Sequence, residues 1–596
     1  MEKQVEDVHL EDAEEDAFDE AEGLPSLTDP FMQKYLEGRD ALVAQEKKQR
    51  SDHAFRETLS PMAAEASAIV SQIRFEEQQT VWTDSFEDEL AHADVDYYPG
   101  MMFTHAKNRM EKTKLWKIVR RMPKGALLHC HYEAVVETEW LIDQALETPG
   151  LHIEAATALT AENLSKTAFL FSYAESSPAI ASSIWSEAYE PDAQVSVQEA
   201  AKSYPNGGVE GFRKWLRSRF TFKSDNHHES AASLWKRFSG VFLSISTLVC
   251  YEPILRKSIQ HTLKQLMSDG VRYVDMRKAM LVPLRREKSV TVDIDQEGLV
   301  AVMDEEIERF KRSAEGNGFW GARLIWTTLR IFDKRQIVES KCRHLAALEV
   351  KLRLDTDMKE CIRLKQIFPE LIAGFDLVGQ EDAGRPLVDM LPELFWFKKR
   401  CMEEQVDIPF FFHAGETCGD GDMTDENLFD AILLGTRRIG HGLSLYKHPL
   451  LIDMVKEKRI LVESCPVSNE VLRFTGPIKQ HPLPALLSRG VPVALCNDDP
   501  AVMDFGASGM THDYWQALQG WENLGLEGLG SLAETSVRYA AFEDCSAKEW
   551  AADVKAGSTG SGIRAKRLKE WARDWEKFCQ WVVLEFGADM DLEQVD

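Results

Sequence analysis

The sequence lacks any continuous apolar run close to the length that crosses a membrane, and its beginning lacks a basic segment followed by an apolar one. A membrane-spanning helix needs about 20 apolar residues, and an export signal needs that basic and apolar order. The ten cysteines are scattered and include no CxxC pair, which favours reduced thiols. These absences predict a cytoplasmic protein without a membrane partner.

Positive charge is also scarce. The 70 Lys and Arg residues face 98 Asp and Glu residues, which gives a formal net charge of -28 at pH 7. Nucleic acids and anionic membranes bind basic surfaces, so the composition argues against both as partners. Between Glu2 and Glu22, eleven acidic residues accompany the single Lys3. Residues 1–28 are therefore predicted to be an acidic disordered tail.

The length of 596 residues and the hydrophobic content of 44% predict one large catalytic unit with added parts. Residues 29–121 carry apolar side chains at three- and four-residue spacing, which predicts helices. This helical region either covers one face of the catalytic unit or forms an association surface. Residues 511–596 include a segment rich in Trp, Arg and Glu, and are predicted to pack as helices on the exterior.

Eight apolar segments of strand length occur between these regions, and helical segments separate most of them. Strands that alternate with helices pair in parallel through right-handed crossovers. Eight such units predict a closed (β/α)8 barrel, of the α/β class, over residues 122–147 and 230–510. The predicted strands are residues 126–131, 271–278, 322–330, 372–379, 408–416, 438–442, 460–468 and 492–500.

The segment of the chain between the first two predicted strands is unusually long. It runs from His131 to Val271, whereas an ordinary strand–helix–strand unit needs about 30 residues. Structureless loops of that length are uncommon in compact domains. We therefore predict an inserted subdomain at residues 148–229. Because it follows the first strand, it is expected on the active-site side, where it covers the pocket or contacts another subunit.

Histidines and paired aspartates follow four of the predicted strands, in the segments LLHCHYE, PFFFHAGE, RIGHG and VALCNDDP. Catalytic groups of such barrels lie at the C-terminal ends of the strands. Alternation along a strand directs His129 and His131 to the same side, with Cys130 facing away. Together with His413 and Asp498 they form a zinc-type set of nitrogen and carboxylate ligands.

The segments MPKGALLHCH, GFDLVG, HAGE, RIGHG, SCPVSN and NDDP occur in this order. In this series the chain resembles the metal-dependent adenosine deaminase family over roughly Lys124 to Gly506. The MPKGALLHCH segment, the helical N-terminal extension and the insertion resemble the adenosine deaminase-related growth factor branch. The resemblance implies a TIM barrel that binds a purine nucleoside, forms a homodimer and converts adenosine and 2′-deoxyadenosine to inosine products and ammonia.

The resemblance also implies roles for particular residues. One Zn²⁺ would be held by His129, His131, His413 and Asp498, and three neutral imidazoles and one carboxylate leave the ion enough positive charge to acidify water. Glu416 matches the proton donor to purine N1, a role that near pH 7 requires burial to raise its pKa.

Four further residues are implied in placing the reactants. The resemblance gives His441 the role of orienting the attacking hydroxide and taking up positive charge. Asp499 corresponds to the carboxylate that meets purine N7, and Gly379 would bring a backbone N–H to purine N3. Glu133 follows HCHY, close to where the family commonly has an aspartate for the ribose 5′-hydroxyl, so substrate preference stays open.

Two alternatives remain. The first is deamination of AMP or of an N6-modified adenine nucleotide, for which Lys278 and Arg330 at predicted strand ends offer positive charge. The second is a non-catalytic signalling or binding protein on the same barrel. The H-x-E…P-C-x-x-C signature of zinc deaminases that act on nucleic-acid bases is absent, in agreement with the acidic composition.

Overall fold

The structure is a computed structural model that describes residues 21–83, 96–175, 182–222, 231–334, 357–506 and 509–589. Most of the predicted acidic tail lies outside these residues. The described residues form eleven strands, β1 to β11. In chain order they are Gly125–Leu127, Leu151–Ala155, Phe169–Tyr173, Val195–Ser196, Val271–Ala279, Gly321–Leu329, Ile372–Val378, His413–Ala414, Arg438–His441, Leu461–Ser464 and Val493–Leu495.

Eight of the strands close into a parallel barrel. Two parallel sheets have the orders β1-β5-β6-β7 and β8-β9-β10-β11. A parallel bridge between Phe375 and Phe410 joins β7 to the segment before β8. A second bridge, between Cys130 and Asp498, joins the segments that follow β1 and β11. The predicted (β/α)8 fold is therefore confirmed, with one observed strand overlapping each predicted segment.

The strand predicted at residues 460–468 was too long at its C-terminal end. Strand β10 ends at Ser464, and a helix begins at Pro466. Proline is favoured at the first turn of a helix because its missing N–H has no partner to lose there. The apolar Val467 therefore belongs to a buried helix and does not extend the strand.

The described helices are numbered α1 to α22. In chain order they are Pro30–Lys47, His53–Glu57, Pro61–Thr80, Phe103–Met110, Lys114–Arg121, Tyr132–Val135, Thr138–Glu147, Val197–Lys202, Gly208–Phe220, Ala231–Val249, Glu252–Ser268, Glu297–Arg312, Met358–Ile367, Leu391–Glu403, Asn427–Leu433, Pro449–Lys458, Pro466–Val471, Leu483–Ser488, Gly509–Gly520, Gly525–Arg538, Ala547–Ala556 and Ile563–Phe586. None of these helices is both long and apolar enough to cross a membrane.

Helices from both ends of the chain cover the N-terminal face of the barrel. Helix α20 lies against the start of β1, where Ser536 Oγ accepts a hydrogen bond of 2.9 Å from the Ala126 N–H. Helices α3 and α22 pack on α20 and on each other. Helix α1 differs from them because none of its residues is buried. Helix α3 is therefore packed against the helix that lies on the start of β1.

The segment between β1 and β5 contains a small antiparallel sheet with the order β3-β2-β4. Helix α10 holds this sheet, since Thr247 Oγ1 accepts a hydrogen bond of 3.0 Å from the Phe171 N–H. At the other side of the segment, Arg217 Nη2 lies 2.9 Å from Asp504 Oδ1 in the loop after β11. The segment therefore borders the C-terminal end of the barrel, where the polar strand ends lie.

Candidate metal and catalytic site

The four predicted metal ligands meet at the C-terminal end of the barrel. One possible ligand atom from each of His129, His131, His413 and Asp498 lies within 4.8 Å of the other three. His129 Nε2 is 3.2 Å and His131 Nε2 is 3.3 Å from Asp498 Oδ1. The four residues follow or belong to β1, β8 and β11. Barrel closure thus brings together side chains that are far apart in the sequence.

The chemistry of this cluster fits a divalent metal ion. His129 Nε2 and Asp498 Oδ1 are buried but have no hydrogen-bond partner in the described part of the chain, because their close approach lacks hydrogen-bond geometry. Buried polar atoms are nearly always partnered, so these two atoms are suited to bind a further group. Imidazole nitrogens with one carboxylate oxygen are a donor set that zinc prefers.

Two buried carboxylates orient the ligand histidines. His129 Nδ1 is 2.9 Å from Glu463 Oε2, and His413 Nδ1 is 2.7 Å from Asp376 Oδ2. A carboxylate accepts a hydrogen bond from the Nδ1–H group, which leaves the lone pair of Nε2 free to bind a metal. The tautomer that a metal needs is therefore built into both histidines.

The same carboxylates belong to a charged network inside the barrel. Arg277 bridges them, with Nε 2.8 Å from Asp376 Oδ2 and Nη2 2.7 Å from Glu463 Oε2. Arg438 contacts Glu463 Oε1 at 2.5 Å and Asp275 Oδ2 at 2.9 Å. Burial alone would raise the pKa of Glu463, but the two guanidinium groups outweigh it and hold that pKa well below its usual value. Burial of Asp376 is likewise outweighed by His413 and Arg277, which hold its pKa below the usual value, so Glu463 and Asp376 are both ionised and able to hold the histidines.

Glu416 lies at the edge of the cluster and is almost completely buried. Burial, followed by the nearby carboxylates of Asp498 and Glu381, raises its pKa well above the usual range. Its Oε1 has no hydrogen-bond partner among the described residues. The Glu416 N–H donates to Glu381 Oε1 at 3.0 Å, which fixes the backbone of this segment. The raised pKa favours the protonated form of Glu416.

His441 lies next to the cluster of the four predicted metal ligands and next to Glu416. Its ring centroid is 4.7 Å from that of His129, and its Nδ1 is 3.4 Å from Glu416 Oε1. Its Nε2 faces Asp498 Oδ2 at 3.9 Å. Burial lowers the pKa of His441 well below its usual value, so the ring is neutral. The backbone of His441 has φ of +61°, in the left-handed region, which turns the chain into the pocket directly after β9.

Two of the predicted substrate residues also lie at this end. Asp499 is buried and its Oδ1 is unpartnered within the described residues. Burial and then the charge of Asp498 raise the pKa of Asp499 well above its usual range. Gly379 has φ of +99°, and a Cβ built there would meet no atom within 4 Å. Open space therefore lies in front of the Gly379 backbone, as a ligand contact requires.

Glu133 has a different setting. Its Oε1 is 2.5 Å from Lys278 Nζ, and both side chains are almost fully excluded from solvent. Lys278 also donates to the Ala279 carbonyl at 2.7 Å. Arg330 is fully buried, and it donates to the His413 carbonyl and, at 3.3 Å, to the Leu377 carbonyl. Its Nη1 has no partner in the described part of the chain. Glu133 thus balances the charge of the Lys278 ammonium. Within the described residues, Nη1 of Arg330 is left without a hydrogen-bond partner.

Residues 221–556, more than half of the chain, match the family described as adenosine deaminase. The match includes His413, Glu416, His441 and Asp498 and begins after the segment that holds His129 and His131.

Individual relatives extend over more of the chain. Adenosine deaminase 2 of Sus scrofa is 34% identical over 455 residues, which cover 76% of this chain and 81% of the relative. Adenosine deaminase 2-A of Danio rerio is 31% identical over 449 residues, covering 74% and 80%. Adenosine deaminase of Lutzomyia longipalpis is 31% identical over 477 residues, covering 79% and 80%.

Proposed function

This chain belongs to the adenosine deaminase family, and on that premise we propose that it hydrolyses adenosine and 2′-deoxyadenosine to inosine, or 2′-deoxyinosine, and ammonia. The observation that carries the proposal is the convergence of four metal-ligand side chains with a neutral carboxylic acid at the same strand ends. That combination suits attack of water on an amidine carbon, where one group activates water and another protonates the ring.

We propose zinc as the metal, held by His129, His131, His413 and Asp498. When bound there, zinc supplies Lewis-acid activation of the attacking water. Asp376 and Glu463 hold His413 and His129 with Nε2 directed to the cluster. These contacts keep the ligand positions fixed before substrate arrives.

Glu416 supplies the proton that the purine ring needs. Attack at C6 breaks the aromaticity of the ring and places electrons on N1, and a proton delivered there relieves this charge. The burial that keeps Glu416 protonated supports this role. His441, neutral and adjacent to both groups, orients the attacking oxygen.

The purine is placed by Asp499 and Gly379. Purine N7 is an acceptor, so the partner carboxyl group has to carry a proton, and the raised pKa of Asp499 supports that state. The open space at Gly379 supports approach of the backbone to N3. We keep Glu133 as a candidate contact of the ribose, with its second oxygen, Oε2, since Oε1 is bound to Lys278.

A comparison of substrates tests the proposed function. We expect kcat/KM for adenosine to exceed that for AMP or N6-methyl-AMP by at least about 100-fold, because Lys278 is already neutralised by Glu133 and a phosphate would enter a strongly acidic protein. Absorbance assays on the zinc-loaded protein measure this ratio. A preference for either nucleotide would identify the alternative substrate class, and zinc-loaded protein that turns over none of the three would favour a binding protein.

We also propose that the chain forms a homodimer through α1. Phe31, Tyr35 and Leu42 lie on one face of this helix and are 77%, 64% and 68% exposed. An apolar stripe of this kind on an unburied helix is typical of a protein interface. A second copy of the chain suits it, because two such stripes are complementary in a twofold arrangement.

Light scattering on the full chain measures the predicted dimer. Wild-type protein should have twice the mass of one chain, and the double variant Phe31→Glu, Tyr35→Glu should have the mass of one. The matched control is Val290→Glu, Ile294→Glu, which introduces the same charges at exposed apolar residues elsewhere. A wild-type monomer, or a dimer that survives the α1 substitutions, would contradict the proposal.

A further inference from the structure

Three polar side chains form a continuous line from a backbone amide to the catalytic histidine. The Leu483 N–H donates to His481 Nδ1 at 3.1 Å. His481 Nε2 is 3.2 Å from Asn469 Oδ1. Asn469 Nδ2 is then 3.2 Å from His441 Nδ1. All three side chains are buried, so water does not compete for these hydrogen bonds.

The direction of every hydrogen bond in this line follows from its first member. A backbone N–H can only donate, so His481 Nδ1 carries no proton and the proton of the neutral ring is on Nε2. That N–H needs an acceptor, so the Asn469 carboxamide must turn its oxygen toward His481. A flipped carboxamide would set two donors against each other. The Asn469 NH₂ group is left to donate to His441 Nδ1, and the proton of neutral His441 is then on Nε2.

The line is rigid at both of its intermediate residues. Asn469 lies in α17, and its backbone carbonyl accepts hydrogen bonds from the Phe474 and Thr475 N–H groups at 2.8 and 3.2 Å. His481 packs against Trp521, with ring centroids 5.9 Å apart. Burial lowers the pKa of His481 to about 3, so the ring stays neutral under physiological conditions.

We propose that Asn469 and His481 are positioning residues that fix His441 in the Nε2–H tautomer. His441 then presents a hydrogen-bond donor on the side of Asp498, where the attacking oxygen is expected. The Nε2–H group donates a hydrogen bond to one lone pair of that oxygen. A second lone pair of the oxygen is then directed toward the purine. His441 Nε2, already protonated, does not act as a base in this step. This role rests on the proposed deaminase function.

The decisive variant is Asn469→Asp. The new carboxylate still accepts from His481, but it has no N–H to offer His441. A proton is drawn to His441 Nδ1 and Nε2 loses the one it carried. We expect kcat for adenosine to fall by about 100-fold or more, with KM within about 3-fold, since loss of a required histidine tautomer is severe in other hydrolases. Zinc content and melting temperature show whether the site is still assembled.

His481 provides a matched pair of variants. Gln has a carbonyl for the Leu483 N–H and an NH₂ group for Asn469 Oδ1, so His481→Gln keeps the direction of the line. Leu removes both groups. We expect His481→Gln to retain kcat within about 5-fold and His481→Leu to lose about 10-fold or more, at equal zinc content. Equal losses in both variants, or an Asn469→Asp enzyme with zinc and wild-type kcat, would overturn the proposal.

The tautomer itself is visible by nitrogen NMR of histidine-labelled, zinc-loaded full chain. Two-bond correlations distinguish Nε2–H from Nδ1–H rings, and a His441→Gln variant assigns the signal. We expect Nε2–H for His441 in the wild-type protein and Nδ1–H in Asn469→Asp. The same tautomer in both would overturn the inference. A wild-type protein with the expected tautomer but no adenosine turnover would sustain the line and refute the deaminase proposal, so the two failures are distinguishable.

Discussion

Glu416→Gln should lower kcat for adenosine by about 1,000-fold while KM changes little. Gln has nearly the same shape as the neutral carboxylic acid, so substrate binding is preserved. It has no proton to transfer to purine N1, so the charge that builds up there is not relieved. The burial that raises the pKa of Glu416 is what makes the acid form available near pH 7. Steady-state kinetics on zinc-loaded protein measure the effect.

Glu77→Gln is the matched control for this variant. Glu77 is also a buried glutamate whose pKa burial raises, to about 7, but it accepts a hydrogen bond from the Leu115 N–H in the helical N-terminal region. The same chemical change there should leave kcat within about 2-fold, because no reacting atom is near. Normal deamination by Glu416→Gln would show that the proton comes from another group.

Replacing a metal ligand should have an effect at least as large. We expect His413→Ala to lose most of its zinc and more than about 1,000-fold of its activity. The substitution removes one imidazole and leaves the buried Asp376 carboxylate without its Nδ1 partner. Elemental analysis gives the zinc content and steady-state kinetics give the activity.

The matched control is His448→Ala. His448 pairs with Asp425 at 3.1 Å, outside the metal cluster. This variant should keep one zinc per chain and wild-type kcat. A chelated wild-type protein should also melt at a lower temperature than the zinc-loaded one, since a ligand that binds only the folded state stabilises it. Full zinc and full activity in His413→Ala would remove His413 from the proposed ligand set.

The barrel and its polar strand ends were predictable because both depend on local patterns. A buried parallel strand is a short apolar run, and a histidine or aspartate directly after it marks the C-terminal end. His413 after PFFF and Asp498 after VALCN follow this pattern. The convergence of His129 and His131 with them required only the closure of eight units.

The charged network inside the barrel was not predicted, although a signal was present. Arg277, Asp376 and Glu463 are charged residues at buried positions of the predicted barrel strands. A charge at such a position has to be paired in the interior, because an isolated one is too costly to bury. Arg277 lies 99 residues from Asp376 and 186 residues from Glu463 along the chain, so only the folded barrel reveals these two pairs.

Contacts between distant segments account for what the sequence did not predict. The ribose contact of Glu133 stays a prediction, whereas its ion pair with Lys278, 145 residues away, has no local sequence signal. Asn469 lies in the SCPVSN segment that supported the resemblance, yet its link to His481 depends on how α17 and the following loop fold back. The direction of these hydrogen bonds becomes visible only when the Leu483 N–H, His481, Asn469 and His441 are in contact.

The first and last strands of the barrel meet at the residues proposed to hold zinc. The Asp498 N–H donates to the His129 carbonyl at 3.2 Å, and the His131 N–H donates to the Asp498 carbonyl at 3.1 Å. The same residues thus fasten the cylinder through their backbones and offer ligand atoms through their side chains. A metal ion bound there would link the segments that follow β1 and β11. Any substitution that moves the ligands apart would then also weaken the contact that closes the barrel.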